Sequence, residues 1–214
     1  MILFKFTKTG GAEFLAHLDI LRHIGRTMRR AGVKVGFSQG FNPHPIMKFA
    51  HPLGVGISSE AELIEIGFEG DITSGEILSK LSEKMPEGFK LTAAKLSQTK
   101  SPFAQLTYAK YEISFYGETP DIEKLMDMKQ IITEKKTKSG VKQTDIRPLI
   151  KSASVKERKD ECTIIEAVLN CGEPNLKPEL FVKVFEEIGC GKAEFYKIKR
   201  TALLNAEKNP LIKF

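Results

Sequence analysis

The stretch LTYAKYEISFYG, residues 106–117, alternates apolar and polar side chains over almost its whole length. Alternation with a period of two is typical of a strand that has one face buried and the other in water. A short helical segment, PDIEKLMDM at 120–128, follows it directly. The middle of the chain therefore predicts a strand followed by a helix, which is also how the chain begins at its N-terminus.

The first half of the chain predicts the same order of elements. They are a strand at 2–7, a helix from about Glu13 to Ala31, strand candidates at 46–53 and 61–70, a helix at 74–85 and a strand at 89–96. In the predicted first helix, the apolar face consists of Phe14, Leu18, Leu21, Gly25 and Met28. Ser74 stands where the second helix needs an N-cap.

In the second half, the predicted elements after 106–128 are a strand at 129–138, a basic loop, a strand at 161–170, a helix at 176–189 and a strand at 192–200. Two βαββαβ patterns in tandem predict an α+β fold of two ferredoxin-like units. Each unit would place two helices on one face of an antiparallel sheet. The polar, proline-containing segment 97–104 is the predicted joint. We therefore expect units at 1–98 and 105–200, and a C-terminal tail at 201–214.

The composition is that of a folded protein without a membrane span or a metal framework. Hydrophobic residues make up 41% and charged residues 28% of the 214 positions, close to the globular average. No apolar run approaches the roughly 18 residues that a membrane helix needs, and the N-terminus does not resemble a signal peptide, so we expect a cytoplasmic location. The three cysteines form no CxxC pattern, which predicts neither a disulfide framework nor a metal or cofactor site.

Positive charge is concentrated in the first predicted helix. At about 100° per residue, one arc of that helix carries Arg22, Arg26, Arg29 and Arg30. Guanidinium groups suit phosphates through bidentate hydrogen bonds, and the net charge of +6 favours an anionic partner. The alternative is a solvated basic face on which Asp19 pairs locally with Arg22 or His23.

The segment SQGFNPHP, residues 38–45, predicts a stiff loop. Gly40 permits a conformation closed to other residues, and Pro43 and Pro45 restrict both themselves and the residues before them. Gln39, Phe41, Asn42 and His44 would be displayed with little freedom left to lose on binding. A purely structural turn is the alternative, since proline and glycine suit any tight connection.

All four histidines lie within residues 17–51. His17 and His23 are six apart on a helix and point to different sides, so they cannot chelate one ion together. A metal site is therefore not predicted, and His17, which adjoins the apolar face, is expected to be structural. His44 and His51 are the candidates for acid–base chemistry.

Several motifs together resemble a bacterial family of unknown function that is linked to cobalamin-binding radical S-adenosylmethionine (SAM) proteins. They are FLAHLDILRHIGRTMRRAG at 14–32, FSQGFNPHP at 37–45, FAHPLGVG at 49–56, SSEAELIEI at 58–66 and TDIRPLI at 144–150. Ile46 stands where the family pattern has a lysine, and the nearest lysine is Lys48. The resemblance implies an accessory domain fused to the radical SAM protein or encoded beside it. The chain has no CxxxCxxC, so it cannot itself hold the cluster that cleaves SAM.

Three functions follow from these features. The first is a non-catalytic accessory module that binds RNA or a ribonucleoprotein, using the arginine arc, the loop and Lys48. A basic stretch adds to it, with Lys135, Lys136, Lys138, Lys142, Arg147, Lys151, Lys156, Arg158 and Lys159. The second is a metal-independent endoribonuclease with His44 or His51 as acid or base and Arg22 or Arg26 at the phosphate. The third is a protein–protein adaptor for the radical SAM enzyme.

Overall fold

The computed structural model describes residues 1–137, 140–159 and 161–214, with the backbone alone at 135–137. The chain forms two compact units. Unit 1 comprises Met1–Gln105 together with Pro210–Phe214, and unit 2 comprises Leu106–Asn209. The last strand continues to Leu204, so the segment 201–214, expected as a tail, is divided between the two units.

Unit 1 contains four strands and two helices. In chain order they are β1 Ile2–Lys8, α1 His17–Arg30, β2 Met47–Phe49, β3 Ile57–Ile66, α2 Ser74–Ser82 and β4 Phe89–Leu96. β1 pairs antiparallel with both β4 and β3, and β2 pairs antiparallel with the end of β3. The predicted order of elements in this half is therefore the observed one.

The core of unit 1 lies between this sheet and its helices. Phe4 and Phe6 of β1 are buried in one cluster with Met28 of α1 and Ile77 of α2. Both helices therefore pack on the same face of the sheet. α2 begins with a capping box, because Thr73 and Glu76 bond each other's backbone N–H, so the N-cap is Thr73 and not Ser74.

The first helix is shorter than predicted and buries a different face. It begins at His17, after a separate 3₁₀ turn at Ala12–Phe14. Phe14 and Leu18, expected in the core, are 69% and 62% exposed. The face that is buried carries Ile20 and Ile24 with Thr27 and Met28. Of the predicted stripe, only Met28 belongs to this face, and Phe14 precedes the helix.

Unit 2 contains six strands and two helices among its described residues. They are β5 Tyr108–Gly117, α3 Ile122–Asp127, β6 Ile132–Thr137, β7 Gly140–Asp145, β8 Ile150–Arg158, β9 Cys162–Asn170, α4 Pro178–Glu187 and β10 Ala193–Leu204. β5 lies between β10 and β9, β8 pairs with the other side of β9, and all these pairs are antiparallel. Phe115 of β5 packs edge-to-face on Phe185 of α4, with ring centroids 5.6 Å apart.

The second half departs from its predicted pattern between residues 129 and 159. The strand expected at 129–138 pairs with β7 in a separate hairpin and not with the main sheet. The strand beside β9 is β8, in a segment expected to be a basic loop. Register shifts at both ends of β8 break the period of two, and its side chains are mostly exposed. The α+β class with mainly antiparallel sheet is confirmed.

Within the described part of the chain, no helix has the length and apolar character needed to cross a membrane.

Candidate functional site

The predicted site lies on α1 and on the segment that follows it. Two of the four arginines of α1 are engaged within unit 1. Arg22 pairs with Asp19, with 2.9 Å between Nη1 and Oδ1. Arg30 donates from Nη2 to the carbonyl oxygen of Lys84 at 2.8 Å and to Oγ1 of Thr27 at 3.0 Å. Arg30 thus fastens the end of α1 to the turn after α2.

The other two arginines are available to a ligand. Arg26 and Arg29 are exposed, and in the segments that the structure describes neither guanidinium group has a hydrogen-bond or ion-pair partner. Residues three apart on a helix lie on the same side, with Cβ atoms about 5–6 Å apart. α1 therefore presents two neighbouring, unpaired guanidinium groups to water.

The loop 38–45 is held as a hairpin-like projection. Its base is fixed where Gly36 N–H donates to Gly67 O at 2.9 Å and Ile46 N–H donates to Gly36 O at 2.8 Å. Closer to the tip of the loop, Ser38 N–H donates to His44 O at 2.9 Å. Phe37 and Pro45 form an isolated antiparallel β-bridge. Backbone hydrogen bonds thus join the two sides of the turn; the stiffness of the loop stays a prediction from its prolines and glycine.

His44 closes the loop. Its backbone N–H donates to Ser38 Oγ at 3.1 Å, and a second hydrogen bond joins Ser38 Oγ to His44 Nδ1 at 2.9 Å. The Nδ1 atom also lies 3.4 Å from Asn42 O. Nε2 is therefore the ring nitrogen left for a ligand or for acid–base chemistry. Sequence reasoning missed Ser38, although a serine six positions before a histidine across a glycine turn was a usable signal.

The tip of the loop is exposed to water. Gln39, Asn42 and His44 are exposed, and the Phe41 ring is fully exposed. The loop thus presents an uncovered apolar ring to water at its tip. Gly40, with φ of 127°, allows the turn that presents this ring.

Lys48 is less available than the sequence suggested. It lies in β2 opposite Glu65, with 3.9 Å between Nζ and Oε2. Glu65 is 1% exposed and also accepts a hydrogen bond from Ser97 Oγ. The Lys48 charge thus stands beside a buried carboxylate that it partly neutralises.

The arginines and the loop remain separate groups. Across the described residues, no hydrogen bond or ion pair joins the four α1 arginines to residues 38–45. The site predicted from sequence therefore consists of a basic helix surface and a projecting loop, each organised by its own contacts.

His17 and His51 are the other histidines to which the sequence analysis gave a role. His17 is half-buried and packs edge-to-face on Phe49, with 4.8 Å between ring centroids. Burial lowers the pKa of His17; the nearby Glu62 acts to raise it and Lys8 to lower it. His51, the other candidate for acid–base chemistry, is half-buried. Among the described residues, no group of three or more His, Cys, Asp or Glu is arranged to hold a metal ion.

In the basic stretch 135–159, Arg147 makes contacts within unit 2. The side chains of Lys135 and Lys136, and all of Lys138, lie outside the described residues. Arg147 donates to three backbone carbonyls, from Nε to Met128 O at 3.0 Å, from Nη2 to Met126 O at 2.7 Å and from Nη1 to Ile150 O at 3.2 Å. Its guanidinium group therefore joins the end of α3 to the start of β8.

A family model matches residues 1–178, which include α1, the loop and most of unit 2. The chain belongs to DUF2344. This family is described as an uncharacterized protein conserved in bacteria. No curated protein matches the sequence.

The DUF2344 chain is similar in fold to several solved structures. One is the crystal structure of a Cbf5-Nop10-Gar1 complex, with a TM-score of 0.51, 11% identity, and coverage of 94% of this chain and 48% of that chain. An archaeal box H/ACA sRNP Nop10-Cbf5 complex matches with a TM-score of 0.44, 10% identity and coverage of 93% and 46%. The structure of an H/ACA RNP bound to a substrate RNA containing 2'-deoxyuridine matches with a TM-score of 0.45 and 10% identity. That match covers 94% of this chain and 47% of the other chain. The chain thus spans about half the length of the solved chains it matches. The first of these matches, at 11% identity, shows a shared fold alone.

Proposed function

We propose that this chain is a non-catalytic accessory module that binds RNA or a ribonucleoprotein through α1 and the loop 38–45. The observation that carries the proposal is the exposed pair Arg26 and Arg29, which have no partner in the described chain. Two adjacent guanidinium groups on a rigid helix suit the closely spaced phosphates of a nucleic acid.

The loop supports the same proposal by supplying a different kind of contact. Phe41 offers an exposed ring on which an unpaired base can stack, and Asn42 and Gln39 offer donors and acceptors to base edges. The hydrogen bonds between Ser38 and His44 hold these groups in place before binding. Little conformational entropy is then lost when a ligand arrives.

The resemblance at 37–45 suggests which system the module serves. We place it beside a cobalamin-binding radical SAM protein, encoded as a separate chain or fused to it. This chain would hold the substrate while the partner performs the radical chemistry, because it lacks the three-cysteine motif for the cluster.

We also assign both units to the ferredoxin-like plan. The support in unit 1 is the antiparallel strand order β4-β1-β3-β2 with two helices on one face. In unit 2 the corresponding order is β10-β5-β9-β8, with the hairpin β6–β7 inserted after the first helix. This plan occurs among proteins that bind RNA, which is a likeness of fold and not of site.

A protein–protein adaptor is the second candidate, and the observation that favours it is the same Phe41. Exposed aromatic side chains are the commonest anchors of protein interfaces. In that case the loop would dock on the radical SAM protein itself, and the arginines of α1 would have no nucleic-acid role.

One experiment separates the two candidates. The full-length chain is affinity-purified from cells together with the neighbouring radical SAM protein, with and without nuclease treatment. An association bridged by RNA disappears after nuclease, whereas a direct protein contact survives it.

A second experiment tests RNA binding directly. The purified chain is titrated with cellular RNA in gel shifts over a salt series. Absence of salt-dependent binding even at low salt would exclude the RNA-binding function.

A further inference from the structure

The sheet of unit 2 has one face packed and one face in water. On β5, the side chains of Ala109, Ile113 and Phe115 are fully buried, and Phe115 contacts α4. The alternate side chains of the same strand, from Tyr108 to Tyr116, are partly exposed. The solvent side of this sheet is therefore an open surface, and its residues are not those of α1 or the loop.

Aromatic rings stand at both ends of this surface. Phe195 of β10 lies opposite Tyr116 of β5, with ring centroids 5.6 Å apart, and Phe195 is 55% exposed. Tyr108 lies at the other end of β5, eight residues away, which is about 26 Å along a strand. Each end also has a lysine over a ring: Lys197 Nζ is 5.9 Å from the Phe195 centroid, and Lys151 Nζ is 5.9 Å from the Tyr108 centroid.

Lysines fill the space between the rings. Lys110 pairs with Glu166 at 2.7 Å, and Glu112 accepts from both Lys156 at 2.6 Å and Lys199 at 3.1 Å. The hydrogen bond from Lys156 and the charge of Lys199 hold the pKa of Glu112 below its usual range. Both carboxylates are thus already paired with lysines.

We call this surface the lysine–aromatic face. Its members are Tyr108, Lys110, Glu112, Tyr116, Lys151, Lys156, Glu166, Phe195, Lys197 and Lys199. The five lysines exceed the two glutamates, so the face carries an excess of positive charge. At the rim, Glu157 and Lys159 pair at 3.6 Å and add no net charge.

We propose that the lysine–aromatic face binds a single-stranded segment of RNA. Bases stack on the Phe195–Tyr116 pair and on Tyr108, while the lysines between them contact the phosphates. Interleaved rings and cations suit a single strand, because its bases expose their faces; a duplex hides those faces and offers only its backbone. The face is distinct from α1 and the loop, so this inference does not depend on the function proposed above.

The test uses the full-length chain and fluorescence anisotropy. The probes are a labelled ten-nucleotide oligouridine and a blunt RNA duplex of equal length, at 50 to 200 mM salt. Phe195→Ala is expected to weaken binding of the single strand about tenfold, in line with the loss of one stacked base. Lys197→Gln is expected to reduce the salt slope by about 0.7.

Phe214→Ala is the matched control. Phe214 is also an exposed phenylalanine, at 46%, with a lysine over its ring: Lys95 Nζ is 5.6 Å from the centroid. Phe214 belongs to unit 1, which contributes no residue to the lysine–aromatic face. This variant is expected to bind the oligouridine like the unaltered protein. Because both phenylalanines are exposed, the thermal midpoint should stay the same in both variants.

The outcomes separate this inference from the proposed function. Arg26→Gln with Arg29→Gln is measured on the same probes. If Phe195→Ala weakens binding of the single strand and the arginine variant does not, binding at the lysine–aromatic face is supported and binding at α1 is refuted. If only the arginine variant weakens binding, the face is refuted. Preference for the duplex, equal loss in Phe214→Ala, or no single-strand binding at 50 mM salt would each overturn the inference.

Discussion

Ser38 and His44 hold each other across the turn of the loop by a backbone and a side-chain hydrogen bond to the same hydroxyl oxygen. One oxygen thus fixes both the path of the backbone and the orientation of the imidazole ring. Because the loop is exposed, this arrangement contributes more to the shape of the loop tip than to the stability of the unit.

Removing that oxygen should loosen the loop without unfolding the protein. In Ser38→Ala, the His44 N–H loses its acceptor, and we expect faster amide hydrogen exchange at residues 39–44. The free energy of unfolding should fall by about 1 kcal/mol or less. Ser79→Ala, on the exposed side of α2, is the control and should leave exchange in the loop unchanged. Unaltered exchange in Ser38→Ala would mean that the backbone alone fixes the loop.

The unpaired arginines of α1 should determine the salt dependence of RNA binding. Replacing Arg26 and Arg29 together with glutamine removes two phosphate contacts, so the affinity for RNA at 0.1 M salt should fall about tenfold, with a salt slope smaller by about 1 to 2. Lys80→Gln removes one exposed cation from α2 and serves as the control for net charge. An equal effect in Lys80→Gln would show that only the total charge matters.

Arg147 should be important for stability and not for binding. Arg147→Ala leaves three half-buried carbonyl oxygens without their donor, and we expect the free energy of unfolding to fall by about 2 kcal/mol in urea titrations. Lysine should restore only part of the loss, because one ammonium group cannot reach three carbonyls. Arg158→Ala, at an exposed position of β8, should change stability by less than about 0.5 kcal/mol. Equal stability of Arg147→Ala and the unaltered protein would contradict this role.

Gly88 should tolerate no side chain. A Cβ there would lie 2.4 Å from Thr9 O and 2.7 Å from Ala12 Cβ, and its φ of 82° is itself unfavourable for alanine. Gly88→Ala should cost about 2 kcal/mol or more in the same titrations. Gly75→Ala, within α2 and with no atom within 4 Å of its Cβ, should be neutral or slightly stabilising. A neutral Gly88→Ala would show that the turn before β4 rearranges easily.

His17 should make the stability of the protein depend on pH near neutrality. Burial lowers its pKa in the folded chain, so the unfolded chain binds more protons as the medium becomes acidic. The stability contribution is complete above about pH 6.5 and is lost as pH falls further. The urea midpoint should therefore drop between pH 7.5 and 5.5, and drop less in His17→Gln. The same drop in both proteins would assign the effect to other groups.

The sequence predicts those elements in which local signals agree with the final packing. β5 follows a clean period of two, and α4 has both an apolar stripe and Gly189 after its end. β8 could not be found this way, because its bulges shift the register and its buried residues are few. The predicted start of α1 was wrong because Phe14 fits a helical spacing with Leu18, but Phe14 belongs to the separate 3₁₀ turn and the helix begins only at His17.

The candidate site was predictable in residue type but not in contacts. Proline and glycine in SQGFNPHP predict a stiff loop, and the hydrogen bonds between Ser38 and His44 close that loop; its stiffness stays a prediction. Local spacing could pair Arg22 with Asp19, since they are one turn apart. The contacts of Arg30 with Lys84 and of Lys48 with Glu65 join residues distant in sequence, so only the fold decides which cations remain free.

The two ends of the hairpin β6–β7 lie side by side in unit 2. Ile146 N–H donates to Ile131 O at 2.9 Å, and both side chains are buried. Since the two ends are already adjacent, the segment between them is a natural graft position. A reporter domain or a short designed turn installed there would keep the strand order of unit 2, which makes the hairpin a convenient handle for building tagged or minimal versions of the protein.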